Sequence, residues 1–100
     1  MKKYNIAVVG VALALQMNNE VCTDARIVLG AVAPTPMRAH RAEDELRGEQ
    51  LTADRIMRAA AIAAEEAKPI DDVRSSAWYR KQMVEVLTRR GLTSLAGQQS

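Results

Sequence analysis

The stretch IAVVGVALALQMNNEVCTDARIVLGAVA, residues 6–33, sets two runs of alternating side chains on either side of three polar residues, and its reading decides the fold. As a strand, residues 6–17 put Ala7, Val9, Val11, Leu13, Leu15 and Met17 on one wholly apolar face. The other face is small: Ile6, Val8, Gly10, Ala12, Ala14 and Gln16. Residues 21–33 alternate as well, with Val21, Thr23, Ala25, Ile27, Leu29, Ala31 and Ala33 against Cys22, Asp24, Arg26, Val28, Gly30 and Val32.

Asn18-Asn19-Glu20 lies between the two runs, and counting tests the register. A two-residue loop pairs Leu15 with Cys22 and Leu13 with Asp24, which sets apolar side chains opposite polar ones. A three-residue loop pairs Met17 with Val21, Leu15 with Thr23, Leu13 with Ala25 and Val11 with Ile27, so that both apolar faces coincide. The expectation is a three-residue hairpin with an Asn in the left-handed conformation. The start of the chain also has the make-up of an export leader: Lys2 and Lys3, an apolar run from Ile6 to Leu15, and an A-x-A tripeptide at Ala12-Leu13-Ala14. A leader needs no pairing partner next door, and this segment has one, so an internal strand is the preferred reading.

Downstream, Pro34 and Pro36 end the second strand, because each removes a ladder donor and restrains its predecessor. Ala39 to Arg47 reads as a short helix with Ala42 and Leu46 on one side and Gly48 at its stop. Thr52 caps a stronger helix to about Lys68, with an inner stripe of Ile56, Ala59, Ala60, Ala63 and Ala67, Met57 and Ala64 along one edge and Ile62 off the other. Ser75 or Ser76 caps a third, to about Arg90, with Tyr79, Met83, Val86 and Leu87 inward and Gly91 closing it. Two long strands followed by helices predict an α+β fold: an antiparallel sheet built on an N-terminal β-hairpin, with about three helices packed on one face. The domain is expected to span residues 1–93, with 94–100 a loose tail.

Composition narrows the function. Aromatic residues make up 3% of the 100 residues and Phe is absent, so flat stacking surfaces for bases or flavin rings are scarce. A formal net charge of +2, with the charges interleaved, gives no reason for a nucleic-acid partner. The Ile6–Leu15 run is half of the roughly 20 residues a membrane-spanning helix needs. Cys22 is the single cysteine and cannot form an internal disulfide, so a reducing cytoplasm suits the chain.

One Cys and one His, without C-x-x-C or H-x-x-x-H spacing, predict no metal site. His40 reads as a solvated or hydrogen-bonded side chain, and Cys22 as a small strand residue rather than a nucleophile. Asp71 and Asp72 precede a helix, where acidic residues answer the helix dipole. Glu65-Glu66 and Arg89-Arg90 read as solvated helix faces. The glycines at 10, 30, 48, 91 and 97 are too scattered to build the glycine-rich turn that cradles a nucleotide phosphate.

Four stretches together carry a family resemblance: YNIAVV (residues 4–9), ARIVLGAVAPTPMRA (25–39), AEDELRG (42–48) and PIDDVRSSAWYR (69–80). In this order, over residues 4 to about 92, the chain resembles the C-terminal domain of the FAD-binding middle subunit of molybdenum hydroxylases, which include aerobic carbon monoxide dehydrogenase and bacterial xanthine dehydrogenase. Asn5 departs from the Asp usual in the family's D-I-A segment, which puts a local charge contact in doubt.

The resemblance implies upstream domains that hold the FAD pyrophosphate, with this domain closing the site near the flavin ring. It implies a large subunit carrying a molybdenum cofactor and a small subunit carrying 2Fe-2S clusters. It assigns no catalytic residue and no cofactor to the isolated chain, which should fold but neither turn over substrate nor bind FAD tightly. Arg74, Trp78, Tyr79 and Arg80 match the segment leading into the family's last helix and are the candidates for interdomain or partner contact. The rival readings are a free-standing protein interaction domain using the hairpin edge or last helix, and a small exported protein beginning after Ala14.

Overall fold

The computed structural model describes the backbone of residues 2–7, 10–30, 37–67 and 77–97, and the side chains of 10–30, 37–67 and 81–97. Three strands run first: β1 (Lys2–Ala7), β2 (Val11–Asn18) and β3 (Val21–Leu29). Then come β4 (Met37–Arg38), α1 (His40–Leu46), β5 (Glu49–Gln50), α2 (Ala53–Glu66) and α3 (Ala77–Gly97). The sheet is antiparallel in the order β1-β2-β3-β4, and β5 pairs with β3 beside β4. Its inner face, formed by Val11, Leu13, Leu15, Cys22, Ala25, Ile27 and Leu29, shares one core with Ala42 and Leu46 of α1, Ile56, Ala59, Ala63 and Ala64 of α2 and Val84, Leu92 and Leu95 of α3. The α+β architecture expected from the sequence is the one observed.

The hairpins correct the sequence reading in four ways. First, residues 6–17 are not one strand. Ala7 pairs with Val11, and Gly10 between them takes φ +94°, a left-handed conformation that glycine adopts without steric cost. Second, the turn between β2 and β3 is shorter than expected. Asn18 pairs with Val21, leaving Asn19-Glu20 as the turn, and Asn19 takes the predicted left-handed conformation at φ 57°.

Third, the pairs along the hairpin are displaced by two residues from the expected ones: Leu15 with Ala25, Leu13 with Ile27 and Val11 with Leu29. A shift of two leaves Ala25, Ile27 and Leu29 on their expected face, so coincidence of the apolar faces could not distinguish the two registers. Fourth, a bulge sets Gln16 opposite Asp24 and Met17 opposite Cys22, with Thr23 as the extra residue. The Thr23 hydroxyl donates to the Gln16 carbonyl at 2.9 Å. The bulge reverses the alternation, so that Cys22 turns inward while Val21 and Thr23 turn out. The second strand ends at Leu29, and the Pro34 and Pro36 turn lies outside the described residues.

α1 and α2 match their sequence reading. Thr52 caps α2 by accepting the Arg55 N–H at 3.2 Å, and the stripe Ile56, Ala59, Ala60, Ala63 and Ala67 is buried, with Ala64 beside it. Met57 stays 57% exposed.

α3 does not stop at Gly91. It continues to Gly97, so residues 94–97 are helical rather than loose, and Leu95 is buried. A helical glycine costs about 1 kcal/mol relative to alanine. Burying Leu92 and Leu95 beyond it returns roughly 1.5–3 kcal/mol each. The added turn also moves the inner stripe to Val84, Thr88, Gly91, Leu92 and Leu95, leaving Met83, Val86 and Leu87 half-buried. The Ser75–Ser76 cap lies outside the described residues.

Candidate functional site

The outer edge of β3 concentrates the charge chemistry of the described residues. β4 covers its end at Val28 and Leu29, and β5 its start at Val21 and Cys22. The stretch between would expose bare backbone groups, which invite pairing with another chain. α1 fills that gap with side chains.

Glu43, the middle residue of α1, is fully buried. Its Oε2 accepts the Ile27 backbone N–H at 2.8 Å and Arg38 Nε at 3.0 Å. Its Oε1 accepts Arg38 Nη2 at 2.7 Å and Arg47 Nη2 at 3.1 Å. A buried carboxylate is tolerated when paired and fully hydrogen-bonded, and here both oxygens are satisfied twice. Around it, the Ala39 N–H donates to the Ile27 carbonyl at 2.8 Å, Arg47 Nη2 to the Ala25 carbonyl at 3.3 Å, and the Gly48 N–H to the Cys22 carbonyl at 2.6 Å. Gly48 takes φ +77°, which turns the chain from α1 into β5.

Arg47 also donates to Asp24 at 3.0 Å. That hydrogen bond is the chief reason the Asp24 carboxyl is held below its ordinary range, and the same bond raises Arg47 further. His40 sits 3.6 Å from Glu43 Oε1 on the exposed side. Cys22 is buried, its thiol donating to the Asp24 carbonyl at 3.2 Å, and desolvation pushes it up to about 11. A thiol so raised is a poor nucleophile at neutral pH, in keeping with the strand-residue reading.

Glu66 departs from the solvated role given it by sequence. Its two oxygens accept the backbone N–H groups of Arg41 and Ala42, each at 3.0 Å, so α2 caps the N-terminus of α1 with a carboxylate. Glu65 beside it is exposed, as expected. On the other side of α1, Arg55 Nη1 donates to the Glu45 side chain at 2.8 Å and to its carbonyl at 3.2 Å.

These contacts bear on whether the described residues could hold a dinucleotide. A pyrophosphate is usually taken at a free helix N-terminus. The N-terminus of α1 already holds a carboxylate, and that of α2 holds the Thr52 hydroxyl. The start of α1 is therefore closed to a phosphate, and at the start of α2 the Arg55 N–H is already taken. A shallow depression of about 270 Å³, lined by Glu20, Gln50, Leu51, Thr52 and Ala96, opens between the β2–β3 turn and the end of α3. Gln50 donates to Glu20 across it at 3.0 Å, and among the described residues none of its lining side chains is cationic. Among the described residues, no group of three His, Cys, Asp or Glu could hold a metal ion. Among them, too, no helix is long and apolar enough to cross a membrane.

Of the four contact candidates, Trp78, Tyr79 and Arg80 fall in the first turn of α3, with side chains outside the described set, and Arg74 lies outside the described residues. The residues that sequence reasoning missed are Glu43 and Glu66. Glu43 and Arg47 are visible as an i,i+4 pair, but its burial follows from an uncovered strand edge that only the tertiary structure shows.

Residues 1–95 match the family model described as CO dehydrogenase flavoprotein C-terminal domain. The chain is 31% identical over 90% of its length to the glyceraldehyde dehydrogenase medium chain of Sulfolobus acidocaldarius, covering 32% of that protein. It is 35% identical over 86% of its length to the carbon monoxide dehydrogenase medium chain of Afipia carboxidovorans, covering 30% of it. A solved structure of carbon monoxide dehydrogenase from Hydrogenophaga pseudoflava, which lacks the Mo-pyranopterin moiety of the molybdenum cofactor, superposes with a TM-score of 0.83 at 25% identity. That superposition covers 99% of this chain and 37% of the other. The chain thus spans about a third of the length of the curated relatives it matches.

Proposed function

The chain belongs to the CO dehydrogenase flavoprotein C-terminal domain family, and from that premise we propose that it closes the flavin site of an FAD-containing medium subunit in a molybdenum hydroxylase. The observation that carries the proposal is the match of residues 1–95 to a domain that makes up about a third of medium chains acting in different oxidoreductases. The N-termini of α1 and α2, filled by groups of this chain, favour a division of labour in which FAD is held by upstream domains. In that division this domain supplies a rigid wall rather than ligands to the pyrophosphate.

Arg74, Trp78, Tyr79 and Arg80, at and before the start of α3, are the residues proposed to meet the upstream domains or the partner subunits. The partners are a large subunit with the molybdenum cofactor and a small subunit with 2Fe-2S clusters. Cytoplasmic residence belongs to the same proposal.

The test is a domain exchange. This chain replaces the matching third of the Afipia carboxidovorans medium chain, and flavin absorbance per polypeptide is measured after purification. The chimera should retain FAD and co-purify with the large and small subunits, whereas the isolated chain should carry none. A folded chimera without flavin, or an isolated chain holding FAD one to one, overturns the proposal.

A further inference from the structure

We draw no further inference here: the strongest candidate, the sheet face turned away from the helices, where half-buried Ala12, Ala14 and Val28 lie beside exposed Arg26, carries nothing because no described residue shows what covers it.

Discussion

The two sides of the core are held by opposite means. Where α1 meets β3, the contact is ionic and hydrogen-bonded: Glu43 is buried among two arginines and a strand N–H, and Glu66 caps the helix from outside. Where α2 meets α3, the buried residues that the two helices bring are small or apolar, Ala59, Ala60, Ala63 and Ala64 on α2 and Val84, Gly91, Leu92 and Leu95 on α3, and the buried Thr88 hydroxyl of α3 has no hydrogen-bond partner among the described residues. Length explains the difference. A helix of seven residues is far below the roughly 12–15 at which isolated helices become even marginal, so α1 has to be tied at its middle and its ends. α2 and α3, of 14 and 21 residues, bury long stripes and can rely on close packing.

The sharpest way to break the comparison is to remove the buried carboxylate. Glu43→Ala leaves the Ile27 N–H without its acceptor and two guanidinium groups without their shared partner. Breaking a buried charge pair typically costs about 3–5 kcal/mol, a large part of the roughly 5–15 kcal/mol available to a domain. Urea unfolding should show a loss of that order. A loss below about 1 kcal/mol would mean that α1 is held by Ala42 and Leu46 rather than by charge.

The alanine interface should answer to volume instead. Ala63→Leu adds bulk at a fully buried position of α2 and should cost about 1–3 kcal/mol by overpacking. Ala61→Leu, on the exposed face of the same helix, should leave the denaturation midpoint nearly unchanged. Equal effects from both would show that α2 and α3 have room to spare.

Legibility in the sequence follows the same division. The α2 stripe and its Thr52 cap were readable because spacing and local hydrogen bonding decide them, whatever the rest of the chain does. The β2–β3 pairing was readable only to within two residues, since counting apolar faces tests parity and the bulge at Thr23 is invisible to it. The break at Gly10 was hidden because both flanking segments read as apolar strand. Glu43 and Glu66 escaped because each acts on an element brought near it by the fold: Glu43 on the uncovered edge of β3, Glu66 on the bare N-terminus of α1. Of the four contact candidates, sequence could name the positions, and the backbone places three of them on α3.

Thr88 offers a smaller and opposite effect. The Thr88 hydroxyl is buried with no partner among the described residues, a buried hydroxyl left unpaired carries a desolvation penalty, and Thr and Val have similar helix propensity. Thr88→Val should therefore raise stability by about 1 kcal/mol, seen as a higher urea midpoint with an unchanged slope. A lower midpoint would show that the hydroxyl is satisfied in solution, which would bring a polar contact into an interface otherwise made of apolar groups.

The smallest effect separates the rim of the ionic side from its centre. Asp24 is held low first by its hydrogen bond with Arg47, and its side chain is 42% exposed. A carboxyl whose pKa is lower in the folded state than in the unfolded chain stabilises the fold above its ordinary value of 3.8, and that stabilisation is lost as pH falls through the lowered value. Exposed pairs contribute roughly 0.2–1 kcal/mol and are screened by salt. The difference in unfolding free energy between the native chain and Asp24→Asn should stay constant and small near neutral pH. It should shrink as pH falls below 3.8, and shrink also in concentrated salt at neutral pH. A difference that persists into acid would mean that Asp24 acts through packing rather than through its charge on Arg47, because its 2.9 Å contact with the Ala25 N–H is one that an asparagine oxygen can keep and so cancels in the comparison.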